Sequence, residues 1–176
     1  MSLFQDVECK FELRAPVTPY VCSTPADFQE ERDWLAEIVF PELAELCSAR
    51  GTYFSPVDVR WSADDTFTQE GHLLRSLLDL VSQSTPYFLC LLGECYGPYR
   101  ESQPVSSEQA QDQSSDASEV KDWLELNLTL AAECGHQWVM QDSHPNCSVT
   151  ELEIMAAALR GNSHQCTFYF RQVSRG

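Results

Sequence analysis

The run Asp58-Val59-Arg60-Trp61 places a carboxylate, a guanidinium and an indole within four residues. Arg60 could grip a phosphate through two parallel N–H bonds, and Trp61 offers a flat face on which a base could stack. The same residues would serve equally as an Asp–Arg ion pair beside a core tryptophan. Ser23-Thr24 has a similar double meaning. Hydroxyls at a helix start make an anion or ribose site, but a helix also needs such residues as caps, and Pro25 suits a first helical position. Gly93-Glu94-Cys95-Tyr96-Gly97 resembles a phosphate loop in composition, without the order G-x-G-x-x-G or G-K-[ST]. Its glycines read as a turn after a strand, and the chain is not expected to hydrolyse ATP itself. Ser148-Val149-Thr150-Glu151-Leu152-Glu153 holds two overlapping capping boxes, Ser148 with Glu151 and Thr150 with Glu153.

Other clusters point to less chemistry. Cys134 with His136, His144 with Cys147 and His164 with Cys166 do not follow the C-x-x-C or H-x(3–5)-H spacing of structural zinc, so no metal site is expected. No G-x-S-x-G element or Ser–His–Asp order supports a hydrolase triad. Glu30, Glu31, Arg32 and Asp33 read as a solvated helix face, with Arg32 alternatively able to reach Asp58 as an internal ion pair.

These residues need elements to position them, and the hydrophobic pattern alternates between two periods. Thr18–Cys22 and Pro86–Leu92 are apolar runs of the kind that form strands covered on both faces. Tyr53–Trp61 reads as a strand bent at Pro56, Gln137–Met140 as a short strand and Cys166–Arg171 as a closing one. Ala26–Arg50, Phe67–Gln83, Ala117–Cys134 and Thr150–Arg160 carry helical spacing; Pro41 predicts a kink or a division in the first, and Gly51 and Gly161 are stops. The alternation predicts an α/β domain of three layers with a mainly parallel sheet of about five strands. Ligands in such sheets bind outside the carboxyl ends of the strands. That points to the loops at Ser23-Thr24, Arg60-Trp61 and Gly93–Tyr99.

The 176 residues fit one domain: a lead-in over 1–16, the domain over 17–173 and a tail over 174–176. Residues 101–119 read as a Ser-, Gln- and acid-rich insertion that cannot pack a core. A formal charge of −16 argues against nucleic acid and anionic membranes as partners, and no apolar run reaches the ~18 residues of a membrane span. Absence of a signal-peptide core predicts a cytoplasmic chain, reduced thiols at its eight cysteines and unused sequons at Asn127 and Asn146. The charge is uneven: residues 101–160 hold eleven acids against Lys121 and Arg160.

Five segments in order, Tyr20–Leu35, Pro56–Ser62, Pro86–Gly97, Ser148–Ile154 and Thr167–Arg171, resemble the DUF4062 module. That module heads large NACHT-type signalling ATPases with TPR or WD repeats, such as nephrocystin-like and telomerase-associated proteins. It is similar in turn to TIR domains, with a flavodoxin-like sheet. Many TIR domains carry Ser-Trp-Cys-x-x-Glu, whose glutamate cleaves the nicotinamide–ribose bond of NAD. The resemblance places Glu153 at that glutamate, with Val149 and Thr150 where tryptophan and cysteine stand. Cys95 replaces an arginine common in the module, and Ser62 a glycine.

Two functions follow from the resemblance and the charge. The first is a protein-interaction or self-association module of a larger signalling NTPase, without cofactor, meeting basic partners through its acidic surface. The alternative is an NAD glycohydrolase. There Glu153 would stabilise positive charge building on the ribose, and Ser23, Thr24, Arg60, Trp61 and Tyr96 would hold the substrate.

Overall fold

A computed structural model describes residues 15–84, 86–99, 115–141, 146–160 and 165–171. Its elements in chain order are β1 (Tyr20–Ser23), α1 (Gln29–Trp34), a π-helical turn (Leu35–Val39), α2 (Phe40–Ser48) and β2 (Val57–Asp58). Next come α3 (Thr66–Gln69), α4 (Leu73–Gln83), β3 (Tyr87–Leu92), α5 (Ser115–Glu133) and a 3-10 helix (Gln137–Met140). The last are α6 (Val149–Ile154), a second π-helical turn (Met155–Leu159) and β4 (Gln165–Phe170).

The architecture is α/β: a four-stranded parallel sheet in the order β2-β1-β3-β4, flanked by helices. The chain winds from β1 to β2 in one direction, then crosses back over β1 to β3 and on to β4. Winding therefore reverses between β1 and β3. Side chains alternate across each strand, so the sheet has two unequal faces. Tyr20, Cys22, Phe88 and Cys90 join the main core with Leu73, Leu74, Leu77, Leu78 and Val81 of α4, Leu124 and Leu128 of α5, and Leu152 of α6. On the opposite face Val21, Phe28 and Leu91 form a small cluster with Leu35, Phe40 and Leu89.

Several expectations change. The described residues hold four strands, not five, and Gln137–Met140 is a 3-10 helix in which Trp138 and Val139 are buried. β2 is only two residues long, with an isolated bridge from Phe54 to Val17 before Pro56 interrupts the pairing. The predicted helix over 67–83 is divided at Gly71, whose φ of +83° is left-handed. A Cβ there would lie 2.6 Å from Leu130 Cδ1, so glycine allows this bend to press on α5. Pro41 does not break its helix. The π-helical turn lies immediately before it and absorbs the clash that a proline ring makes with the preceding turn. Most of the 101–119 insertion lies outside the described residues, and α5 begins at Ser115.

Candidate functional site

Among the described residues, two of the depressions border the sheet. The first, about 340 Å³, lies outside the carboxyl ends of β1, β2 and β3, where the winding reverses. Sheets of this kind leave a crevice at that point because neighbouring connections depart to opposite faces. Its walls are Thr24, Pro25 and Ala26 after β1, Trp61, Ser62 and Ala63 after β2, and Gly97 and Pro98 after β3. Of the residues singled out for ligand contact, Thr24 and Trp61 line it. Trp61 also packs edge-on against Trp123, with ring centroids 6.2 Å apart, so its indole is held by the core. Beside Gly97 is the buried hydroxyl of Thr150, which has no hydrogen-bond partner among the described residues.

Ser23, Arg60 and Tyr96 lie outside this lining. Ser23 is buried, and its hydroxyl accepts a bond of 3.0 Å from Arg32 Nη1. It does not cap α1. The residue before that helix is Phe28, whose φ of 60° is left-handed and whose side chain makes no cap bond. Thr24 instead closes a turn, its carbonyl accepting from Asp27 N–H at 3.2 Å. Arg60 is exposed and bonded to Asp33 and Asp58, so its guanidinium is engaged by carboxylates. Tyr96 donates its hydroxyl proton to Glu151 and accepts from Ser148 N–H at 3.3 Å, tying the loop after β3 to the start of α6.

Arg32 turns inward from the acidic run to only 2% exposure and pairs with Asp58. Its Nε donates to Asp58 Oδ1 at 2.7 Å and its Nη2 to the Val59 carbonyl at 2.8 Å. Buried guanidinium charge requires such saturation, and losing the partner would be costly. Asp27, which the sequence reading passed over, accepts from Cys95 N–H at 3.0 Å and from the Thr24 hydroxyl at 3.3 Å. A Cβ on Gly93 would come within 2.7 Å of Asp27 Oδ2, so that glycine admits the Asp27–Phe28 turn.

Glu153 is 3% exposed and lines neither depression. Tyr20 donates its hydroxyl proton to Glu153 Oε1 at 2.5 Å, and the Cys22 thiol beside the same carboxyl favours its charged form. Burial pushes the carboxyl up to about 7, against the opposing pull of Tyr20, of Cys22 and of the positive charge of Arg32. Burial also raises the Tyr20 hydroxyl, with the Glu153 charge adding to it. The helix cap is Ser148, whose hydroxyl accepts from Glu151 N–H at 3.1 Å, so Glu153 is free of the capping box that spans Thr150. No group of three or more His, Cys, Asp or Glu side chains suited to a metal occurs among the described residues.

The second depression, about 550 Å³, is a groove on the thinly covered face of the sheet. Leu89 and Leu91 lie against Phe28, Trp34, Leu35 and Tyr169 in its lining, with Glu30 and Glu31.

These features define a domain with a parallel sheet, a crevice where its winding reverses and an apolar groove on one face. The chain is 43% identical to tetratricopeptide repeat protein 41 of Rattus norvegicus and 44% identical to that of Mus musculus, over 89% of its own length. It spans 12% of the length of these curated relatives. No family model matches the chain, and no solved structure matches it. Likeness to NACHT and WD repeat domain-containing protein 2 of Homo sapiens is distant, 26% over 83% of the chain and 8% of that protein. The assignment to the DUF4062 module is corrected accordingly: the substantial likeness is to a segment of tetratricopeptide repeat proteins. Such repeats are helical hairpins, whereas this segment is built on a parallel sheet.

Proposed function

We propose that this chain is an interaction module of a larger repeat-bearing protein, docking a partner or a second copy. The observation that carries the reading is that, among the described residues, half of one sheet face is bare. Trp34 is 58% and Tyr169 57% exposed at the groove, with Ile38 and Tyr87 also exposed. Contiguous apolar surface of this kind marks protein contact. Its relatives' name supports the setting, because arrays of such repeats present extended binding surfaces. The order β2-β1-β3-β4 supports a flavodoxin-like winding. The NACHT in the name of the distant relative supports, more weakly, a nucleotide-hydrolysing domain elsewhere in the larger protein.

Light scattering over a concentration series, together with crosslinking capture of partners, tests this reading. A mass that rises with concentration, or saturable capture of a discrete partner, is expected. A strict monomer that captures nothing overturns it.

The winding-reversal cleft favours one second reading, the NAD glycohydrolase. It requires Glu153 to reach a ribose lodged against Thr24 and Trp61, and the bond from Tyr20 opposes that movement. Nicotinamide release from NAD, abolished in Glu153→Gln with the fold intact, would establish it. No release from the wild-type chain would remove it.

A further inference from the structure

We propose that the groove between Trp34 and Tyr169 receives an amphipathic helix from another polypeptide, apolar where it is buried and lysine- or arginine-rich along its flanks. The inference rests on the interaction reading and names the partner's chemistry. It begins with the layers. A parallel sheet buries both faces under helices. Here α4, α5 and α6 share one core with the first face. On the other face the helical stretch 29–48 packs near β1, while among the described residues Leu89, Leu91 and Tyr169 of β3 and β4 line open space. That space lies on the face of the sheet and not along its edge, so it fits a helix laid against α1 better than an added strand. A helix of about 14 residues spans ~21 Å, close to the ~20 Å of a six-residue strand.

Charge selects the occupant. Residues 29–48 carry Glu30, Glu31, Asp33, Glu37, Glu42 and Glu45, and their one basic residue, Arg32, is buried. Arg60 takes Asp33 and Arg171 takes Glu31. Glu30, Glu37, Glu42 and Glu45 make no ion pair among the described residues. A second copy would bring the same acidic flank and another net −16 to the contact. A basic amphipathic helix brings attraction along the flank and apolar side chains to the floor, the helix-in-groove mode of recognition.

The probe is a fluorescein-labelled peptide of about 18 residues, with leucines at helical i, i+3, i+4 and i+7 spacing and lysines elsewhere. Its controls are a scrambled peptide of the same composition and a counterpart with glutamate for lysine. Anisotropy with the 176-residue chain should show saturable binding of the patterned basic peptide, at least tenfold tighter than either control. Trp34→Ala and Tyr169→Ala, both at exposed positions, should each weaken it at least tenfold with the circular dichroism spectrum unchanged. Glu30→Lys with Glu37→Lys should shift preference toward the acidic counterpart. Equal binding of the scrambled peptide, or indifference to Trp34→Ala and Tyr169→Ala, overturns the proposal.

Two further outcomes also overturn it. One is Trp34 emission already shielded from acrylamide in the free chain, which assigns the groove to a segment of the same polypeptide. The other is a dimer dissolved by Trp34→Ala, which assigns it to a second copy. Association that persists while the peptide fails sinks this inference and leaves the interaction reading standing. Failure of both association and peptide binding removes the two together.

Discussion

Glu153 sits where Tyr20 hydrogen-bonds to it and solvent hardly reaches it. Its folded value of about 7 exceeds its ordinary 4.5, so between those pH values the folded state keeps a proton that the unfolded state releases. Stability from this group is complete below about 4.5, declines as pH rises through the window and is level above about 7. The integrated loss is about 3 kcal/mol. Glu153→Gln cannot titrate, so its unfolding free energy should gain on the wild type by that amount between pH 4.5 and 7.5, read from urea melts. A difference that stays flat across the range would mean that the folded carboxyl titrates like a solvated one. At this scale the sequence was informative only where position along a strand sufficed. Thr24 and Trp61 follow strand ends, and both line the winding-reversal cleft. The bond between Tyr20 and Glu153 joins residues 133 apart, and no local pattern encodes such a contact. Arg32 was readable only as an alternative, because a charged run gives no sign of which member turns inward.

Among the elements, the junction of α3, α4 and α5 depends on one amide. Asn127 is fully buried on α5 and accepts from Leu74 N–H at 3.0 Å, at the start of α4. Its own N–H groups donate to the Thr68 carbonyl at 2.7 Å and the Trp123 carbonyl at 2.8 Å. Asn127→Leu keeps the volume but strands the Leu74 amide, at about 1–3 kcal/mol, while the Thr68 carbonyl keeps its bond from Gly71 N–H at 3.1 Å. A drop of about 1–3 kcal/mol in unfolding free energy is expected, with faster hydrogen exchange concentrated at residues 66–74. A loss below about 0.5 kcal/mol would show that the Leu74 amide finds another partner. The sequence reading saw Asn127 only as a sequon, and its burial removes it from any surface on which a glycan could sit. The alternation of helices and strands was legible because apolar periodicity persists over many residues, as along α4. The 3-10 helix at Gln137–Met140 was not, since four apolar-leaning residues satisfy either period. Gly71 and the π-helical turn before Pro41 escaped for a different reason. Each records a tertiary accommodation, to α5 or to a proline ring, and not a local preference.

For the molecule as a whole, the opposing distributions of charge and apolar surface matter most. A net −16 spread over a domain of this size repels itself, and the repulsion is relieved by salt. Raising ionic strength to about 1 M, where screening acts over ~3 Å, should stabilise the fold by about 1 kcal/mol. In a thermal scan that is an upward shift of roughly 2–4 °C. A midpoint that falls with salt would indicate that ion pairs such as Arg32–Asp58 and Arg60–Asp33 outweigh the repulsion. The fold class and its parallel sheet were readable at this scale from composition and alternation. The bare half of one face was not, because it depends on which side each connection crosses.

Cys22 and Cys90 stand opposite one another on adjacent strands, with almost no surface exposed, while Cys95 and Cys134 face outward. In an alkylating reagent the outer pair should react first, with Cys95 slowed by the Asp27 charge that raises its thiol. The inner pair must wait until β1 and β3 separate, because no probe reaches them between closed strands. The protein thus carries its own stopwatch. The lag between the two sets of modified cysteines times the opening of the sheet, without any added label.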